Sequence, residues 1–171
     1  MTTCSDLFHS LLLDSKQRGR LDEDGHLLLP GLLTDEACSR LTTSLASIQA
    51  LMPGEEEHKP NHYSAEYDEY LASLIRHPQM LELARHILGE DIRFDHCVAL
   101  NRPAANAGAS WHSHSYSEQD PRLGFLRIFL YVNGFDDGDG NLKVVAGSHH
   151  FRDPHVKAGS DLEMEEGWMK D

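Results

Sequence analysis

Apolar positions recur every three or four residues through the first half of the chain and alternate with polar ones through much of the second. Leu7, Leu11 and Leu12 suggest a short opening helix that ends near Gly19. Residues 25–33 read as a short apolar strand interrupted by a Pro30-Gly31 turn. The clearest element is an amphipathic helix beyond it. Thr34 can accept hydrogen bonds as its cap, and Asp35 and Glu36 place negative charge in the first turn. Pro53-Gly54 stops it. Ala37, Leu41, Leu45, Ile48 and Met52 fall on one face of that helix, a stripe that must be buried. A charged loop over 53–62 leads to two further helices, about 64–76 and 78–88, with Pro78 at a helix start and Gly89 as the stop.

The period then shortens to two. Ile92, Phe94, His96, Val98 and Leu100 alternate with Arg93, Asp95, Cys97 and Ala99, which predicts a half-buried strand. Residues 101–110 are small and read as a flexible connection, and Trp111 to Tyr116 suits another strand. A long strand is predicted over 123–133, with Leu123, Phe125, Arg127, Phe129 and Tyr131 on one side. A Gly/Asp-rich turn at 136–140 leads to a return strand at 141–146. Helices followed by antiparallel strands predict an α+β fold, helical over about 1–90 and β over about 91–150.

Bulk properties narrow the function classes. A chain of 171 residues fits one domain, and a domain of that size buries roughly 70% of its unfolded surface. Fifteen Lys and Arg against 28 Asp and Glu give a net charge of −13. That field repels polyanions, so neither nucleic acid nor an anionic membrane surface is an expected partner. The mean hydropathy of −0.47 suits a soluble chain. Cys4, Cys38 and Cys97 are odd in number and widely spaced, which fits free thiols in a reducing compartment. The apolar run Leu11-Leu12-Leu13 breaks at Asp14, too short for a signal or a span, so a cytoplasmic location is expected.

The chemistry centres on His112-Ser113-His114. On a strand, residues two apart point to the same face, so both imidazoles can reach one ion. Imidazole suits iron, zinc, copper or nickel. Two solvated histidines on a wet strand face are the plainer reading of such a pair taken alone.

Longer motifs surround the pair. Trp111-His112-Ser113-His114 resembles the W-H-x-D stretch of the phytanoyl-CoA dioxygenase family. Gly140-Asn141-Leu142-Lys143-Val144-Val145-Ala146-Gly147-Ser148-His149 resembles that family's N-G-x-L-x-V-x-P-G-S-H turn and strand, with Ala146 in place of proline. Upstream, the run from Asp24-Gly25-His26 through Pro30-Gly31 to Thr34 resembles its opening strand and helix cap. The three pieces occur in the family's order over nearly the whole chain.

The resemblance implies a double-stranded β-helix, or jelly-roll barrel, that holds Fe(II) by two histidines and one carboxylate. It also implies 2-oxoglutarate and O2 as co-substrates and a small-molecule substrate that is hydroxylated. His112 matches the first ligand. His114 stands where the family has aspartate, which leaves a bound ion about one charge unit more positive. Its bulk also fills the room a halide ligand would need. Arg127 and Phe129 share a side of the long strand, which in relatives lines the oxo-acid pocket, so both are candidate 2-oxoglutarate contacts; Asn101 is a weaker one. A strand-edge arginine in solvent and a plain core phenylalanine are the bland alternatives. The family's distal histidine and oxo-acid arginine follow the P-G-S-H-like turn, whereas Asp171 comes soon after it. The expectation is therefore an incomplete site in an unfinished barrel whose open edges favour self-association.

Two rivals remain. In a cupin-type metal site, His112, His114 and Glu118 would be joined by His149 or His150. The other is an inactive, truncated relative with an interaction role, which would release no succinate from 2-oxoglutarate. A calcium loop at Asp137 to Asn141 fails because Leu142 replaces the sixth-position glycine and Ser148 the bidentate glutamate. The chain has no HExxH, Walker loop or G-x-S-x-G elbow, which sets aside zincin proteases, P-loop NTPases and α/β-hydrolases.

Overall fold

The structure, a computed structural model, describes residues 5–10, 13–52, 59–101, 124–136 and 141–151. The chain divides into two compact units. The first takes in Met1–Leu12, Pro30–Ala104 and Ile128–Phe135, and the second Leu13–Leu29, Ala105–Arg127 and Asp136–Asp171.

In the first unit, α2 (Asp35–Ala50) is the spine. The Thr34 hydroxyl accepts the Ala37 amide as the N-cap, as its sequence predicts. Ala37, Leu41 and Ile48 are buried and Leu45 packs beside them. Full burial of side chains such as Leu41 and Ile48 contributes about 1.5–3 kcal/mol each. Ser44 lies on the same buried face at 3% exposure, and its hydroxyl donates to Asp68 Oδ1 at 2.9 Å. Buried polar groups require such a partner.

That carboxylate also explains a break in the next helical stretch. Asp68 is extended and its Oδ1 accepts the Leu71 amide, which starts a new helix. The single helix expected over 64–76 is therefore a 3-10 turn at Ser64–Glu66 followed by α4 (Glu69–Leu74). Part of the expected charged loop is helical too, as α3 (Lys59–His62). Helix α5 (Pro78–Leu88) follows its sequence signals closely, with Pro78 in the first turn and Gly89 closing it at φ 96°.

The opening helix expected to begin at Leu7 does not begin there, and Leu11 and Leu12 lie outside the described residues. Leu7 and Phe8 are both buried, at 1% and 2% exposure, and Phe8 makes an isolated antiparallel bridge with Leu33. Gln79 holds this strap: its Oε1 accepts the Leu7 and Phe8 amides and its Nε2 donates to the Phe8 carbonyl. Helix α1 (Ser15–Asp24), in the second unit, starts later and runs through Gly19. A capping box fixes its start, with Asp14 accepting the Gln17 amide and Gln17 accepting the Asp14 amide. Such a cap, typically worth about 1 kcal/mol, offsets the similar cost of a mid-helix glycine.

Among the described residues the strands predicted over 92–100, 123–133 and 141–146 form no ladder. The backbone of 97–99 pairs instead with the end of α3 and the turn beyond it. The Ala99 amide donates to Asn61 O, and the Ser64 amide and hydroxyl both donate to Cys97 O. Burial alternates only over 97–100, where Cys97 and Ala99 form the inner face. Ala99 is buried and Cys97 packs against the core, while Phe94, Val98 and Leu100 are exposed. Leu130 and Val132 also pack against this core, whereas Phe129 and Tyr131 do not. Of the other expected elements, residues 111–116 lie outside the described residues.

Candidate functional site

His112 and His114, the predicted metal pair, lie outside the described residues, as do Trp111 and Glu118. Among the described residues, no group of three or more His, Cys, Asp or Glu side chains is placed to hold a metal ion.

The predicted oxo-acid contacts are both described, each in its own unit. Arg127 is half-buried, with its guanidinium carbon 5.6 Å from the centre of the Phe125 ring. Phe129 is 48% exposed, and its ring centre stands 6.4 Å from that of Tyr131 in a stacked arrangement. Tyr131 in turn meets Phe135 edge-on at 4.7 Å. Phe129 is therefore no core residue among the described surroundings. Asn101 is exposed.

The two adjacent histidines near the end of the glycine-serine motif sit in a 3-10 turn at Ser148–Phe151, in the second unit. His149 Nε2 lies 3.1 Å from the Asp22 carbonyl oxygen, to which it donates, and its ring centre is 3.9 Å from that of His150. The amide of Gly147, at φ 74°, donates to the Asp24 carbonyl. His149 is thus engaged with the C-terminal turn of α1, the place where carbonyls lack helical partners. Its Nε2 is committed to that carbonyl rather than turned toward an ion.

A polar cluster in the first unit escaped the sequence reading. His62 and Tyr63, at the end of α3, and Asp95 and His96 line a depression of about 230 Å³. Asp95 Oδ2 lies 2.7 Å from His96 Nδ1. The only sequence signal was an adjacent Asp-His pair, and strand alternation assigns those two residues to opposite faces.

The sequence pattern of the phytanoyl-CoA dioxygenase family matches residues 21–171. The chain belongs to the phytanoyl-CoA dioxygenase family. The match takes in both glycine-containing motifs and the histidine pair between them. Membership implies a jelly-roll fold and dioxygenase chemistry for the family as a whole.

Two relatives are similar to the chain over part of their own length. The chain is 29% identical over 153 residues to L-proline trans-4-hydroxylase of Streptomyces griseoviridis, covering 81% of this chain and 56% of that protein. It is 26% identical over 83 residues to the probable alpha-ketoglutarate-dependent hypophosphite dioxygenase of Stutzerimonas stutzeri, covering 48% of this chain and 29% of that protein. The chain therefore spans about half the length of the first relative and less of the second. No solved structure matches the chain at the same stringency. Cys38 and Cys97 are free thiols, as expected, and among the described residues no helix is long and apolar enough to cross a membrane.

Proposed function

We propose that this chain is a non-haem Fe(II)- and 2-oxoglutarate-dependent oxygenase that hydroxylates a small organic substrate. The observation that carries this reading is the family match over residues 21–171. The names of the two relatives, a proline hydroxylase and a probable alpha-ketoglutarate-dependent dioxygenase, point the same way.

In this reading His112 and His114 hold the metal, two imidazoles two residues apart on one strand of the jelly roll. Imidazole is a fitting donor for Fe(II), and a neutral His114 in place of aspartate leaves an ion's charge less compensated. The metal and the oxo acid supply the oxidising power. The chain's task is to bind, orient and shield. Arg127 offers a permanently charged planar donor suited to a carboxylate of the oxo acid. Phe129, half exposed beside Tyr131, offers an apolar wall against which the oxo acid or substrate can pack. By analogy with the relatives, the substrate class is a small polar metabolite such as an amino acid.

Succinate formation from 2-oxoglutarate tests the proposal. The iron-loaded chain, supplied with O2 and a panel of small amino acids, is expected to release succinate above the metal-free control. No release with any member of the panel would contradict an oxygenase role for this chain.

A further inference from the structure

We propose that the depression between His62, Tyr63, Asp95 and His96 is a recognition site for an organic ammonium ion, such as the amino group of a small amino acid. Its walls come from two segments in fixed register. The Ala99 amide donates to Asn61 O at 2.9 Å and the Ser64 amide to Cys97 O at 3.0 Å. Ser64 is fully buried beneath this junction, where its hydroxyl adds a 2.9 Å bond to Cys97 O. The two segments that carry the lining residues are therefore tied together by backbone and buried groups.

The chemistry of those side chains favours a cation. A carboxylate only accepts hydrogen bonds, so Asp95 Oδ2 at 2.7 Å places a proton on His96 Nδ1. The Nδ1–H tautomer of His96 presents its Nε2 lone pair as an acceptor, and Asp95 keeps its second oxygen for another donor. Tyr63, 52% exposed, lines the same depression and brings an aromatic ring to it. Two acceptors, one of them charged, beside an aromatic ring match an ammonium group with several N–H donors. A metal ion is a poorer fit, because no three-ligand group forms among the described residues. About 230 Å³ holds a molecule of a few heavy atoms, which points to a compact amine.

The site is independent of the oxygenase reading, so binding is tested on the metal-free full chain without turnover. Imidazole resonances of His62 and His96 are followed by NMR while L-proline, methylammonium or N-acetyl-L-proline is added. The two ammonium probes are expected to shift the His96 resonances saturably, and the acetylated probe, which lacks the cation, is not. Asp95→Asn is expected to weaken both ammonium probes about tenfold or more. The side chains of Asp95 and His96 are 48% and 27% exposed, so the substitution leaves the folded chain intact, as its amide spectrum will report. Unmoved resonances with both ammonium probes, equal affinity in Asp95→Asn, or equal binding of the acetylated probe overturns the proposal. The succinate assay is unaffected by any of these results.

Discussion

The imidazole of His149 lies against Gly25, in the space a β-carbon there would occupy. Gly25 is the left-handed C-cap of α1, at φ 76°, and its amide donates to the Leu21 carbonyl. His149 reaches the same helix end through the Asp22 carbonyl. The start of one family motif, Asp24-Gly25, thereby meets the end of the other, Gly147-Ser148-His149, although more than a hundred residues separate them. That meeting gives the glycine two separate physical reasons: a backbone conformation that side chains disfavour, and a neighbour that leaves no room.

Gly25→Ala is therefore expected to destabilise the chain by about 1–3 kcal/mol, the range for a strained backbone position. In a His149→Ala background, where the overlap is gone, Gly25→Ala is expected to cost only the conformational part, about 1 kcal/mol. Urea unfolding of the single and double variants separates the two contributions. A Gly25→Ala chain as stable as the parent contradicts the arrangement.

The strap at Leu7 and Phe8 depends on one side chain. Gln79 satisfies two amides and a carbonyl of that strap, so Gln79→Ala strands half-buried donors and is expected to cost about 2–4 kcal/mol. Hydrogen exchange at the Leu7 and Phe8 amides should accelerate more than exchange within α2. Uniform acceleration across the unit, or none, argues against a local clamp.

Asp68 serves α2 and α4 at once, through Ser44 and the Leu71 amide. Asp68→Ala is expected to lose about 1–2 kcal/mol from the cap and to leave the buried Ser44 hydroxyl without its acceptor. Asp68→Asn, which retains a cap oxygen, should recover most of the loss in thermal unfolding. Equal losses for the two variants would mean that the negative charge, not the acceptor, matters.

Glu118 separates two metal arrangements. In the oxygenase reading it is no ligand, so Glu118→Gln is expected to keep Fe(II) affinity within about twofold. A loss of tenfold or more, measured by metal titration, favours the cupin-like arrangement of His112, His114 and Glu118.

Helix signals were legible wherever cap chemistry and burial agreed. Thr34, Pro78 and Gly89 mark the ends they predict, and the Ala37-Leu41-Ile48 stripe is the buried one. Leu7 misled because two adjacent buried residues suit a pinned extended strap as well as a helix, and the pin, Gln79, lies far off in sequence. The alternation read over 92–100 is present in burial only over 97–100, and the sequence did not say which face is inner. Small Ala99 and Cys97 fit against the helices, and larger Phe94 and Leu100 point away, a choice made by the space available rather than by hydrophobicity. The family was legible from three short motifs and is borne out by the match over residues 21–171. The Asp95-His96 depression was not, because it needs the 61–64 and 97–99 segments brought side by side.

Metal content of the anaerobically reconstituted chain bears most directly on the proposal that His112 and His114 share one divalent ion. Elemental analysis is expected to find about one Fe(II) per chain in the parent and almost none in His112→Ala or in His114→Ala. A full complement of iron in His114→Ala would contradict it.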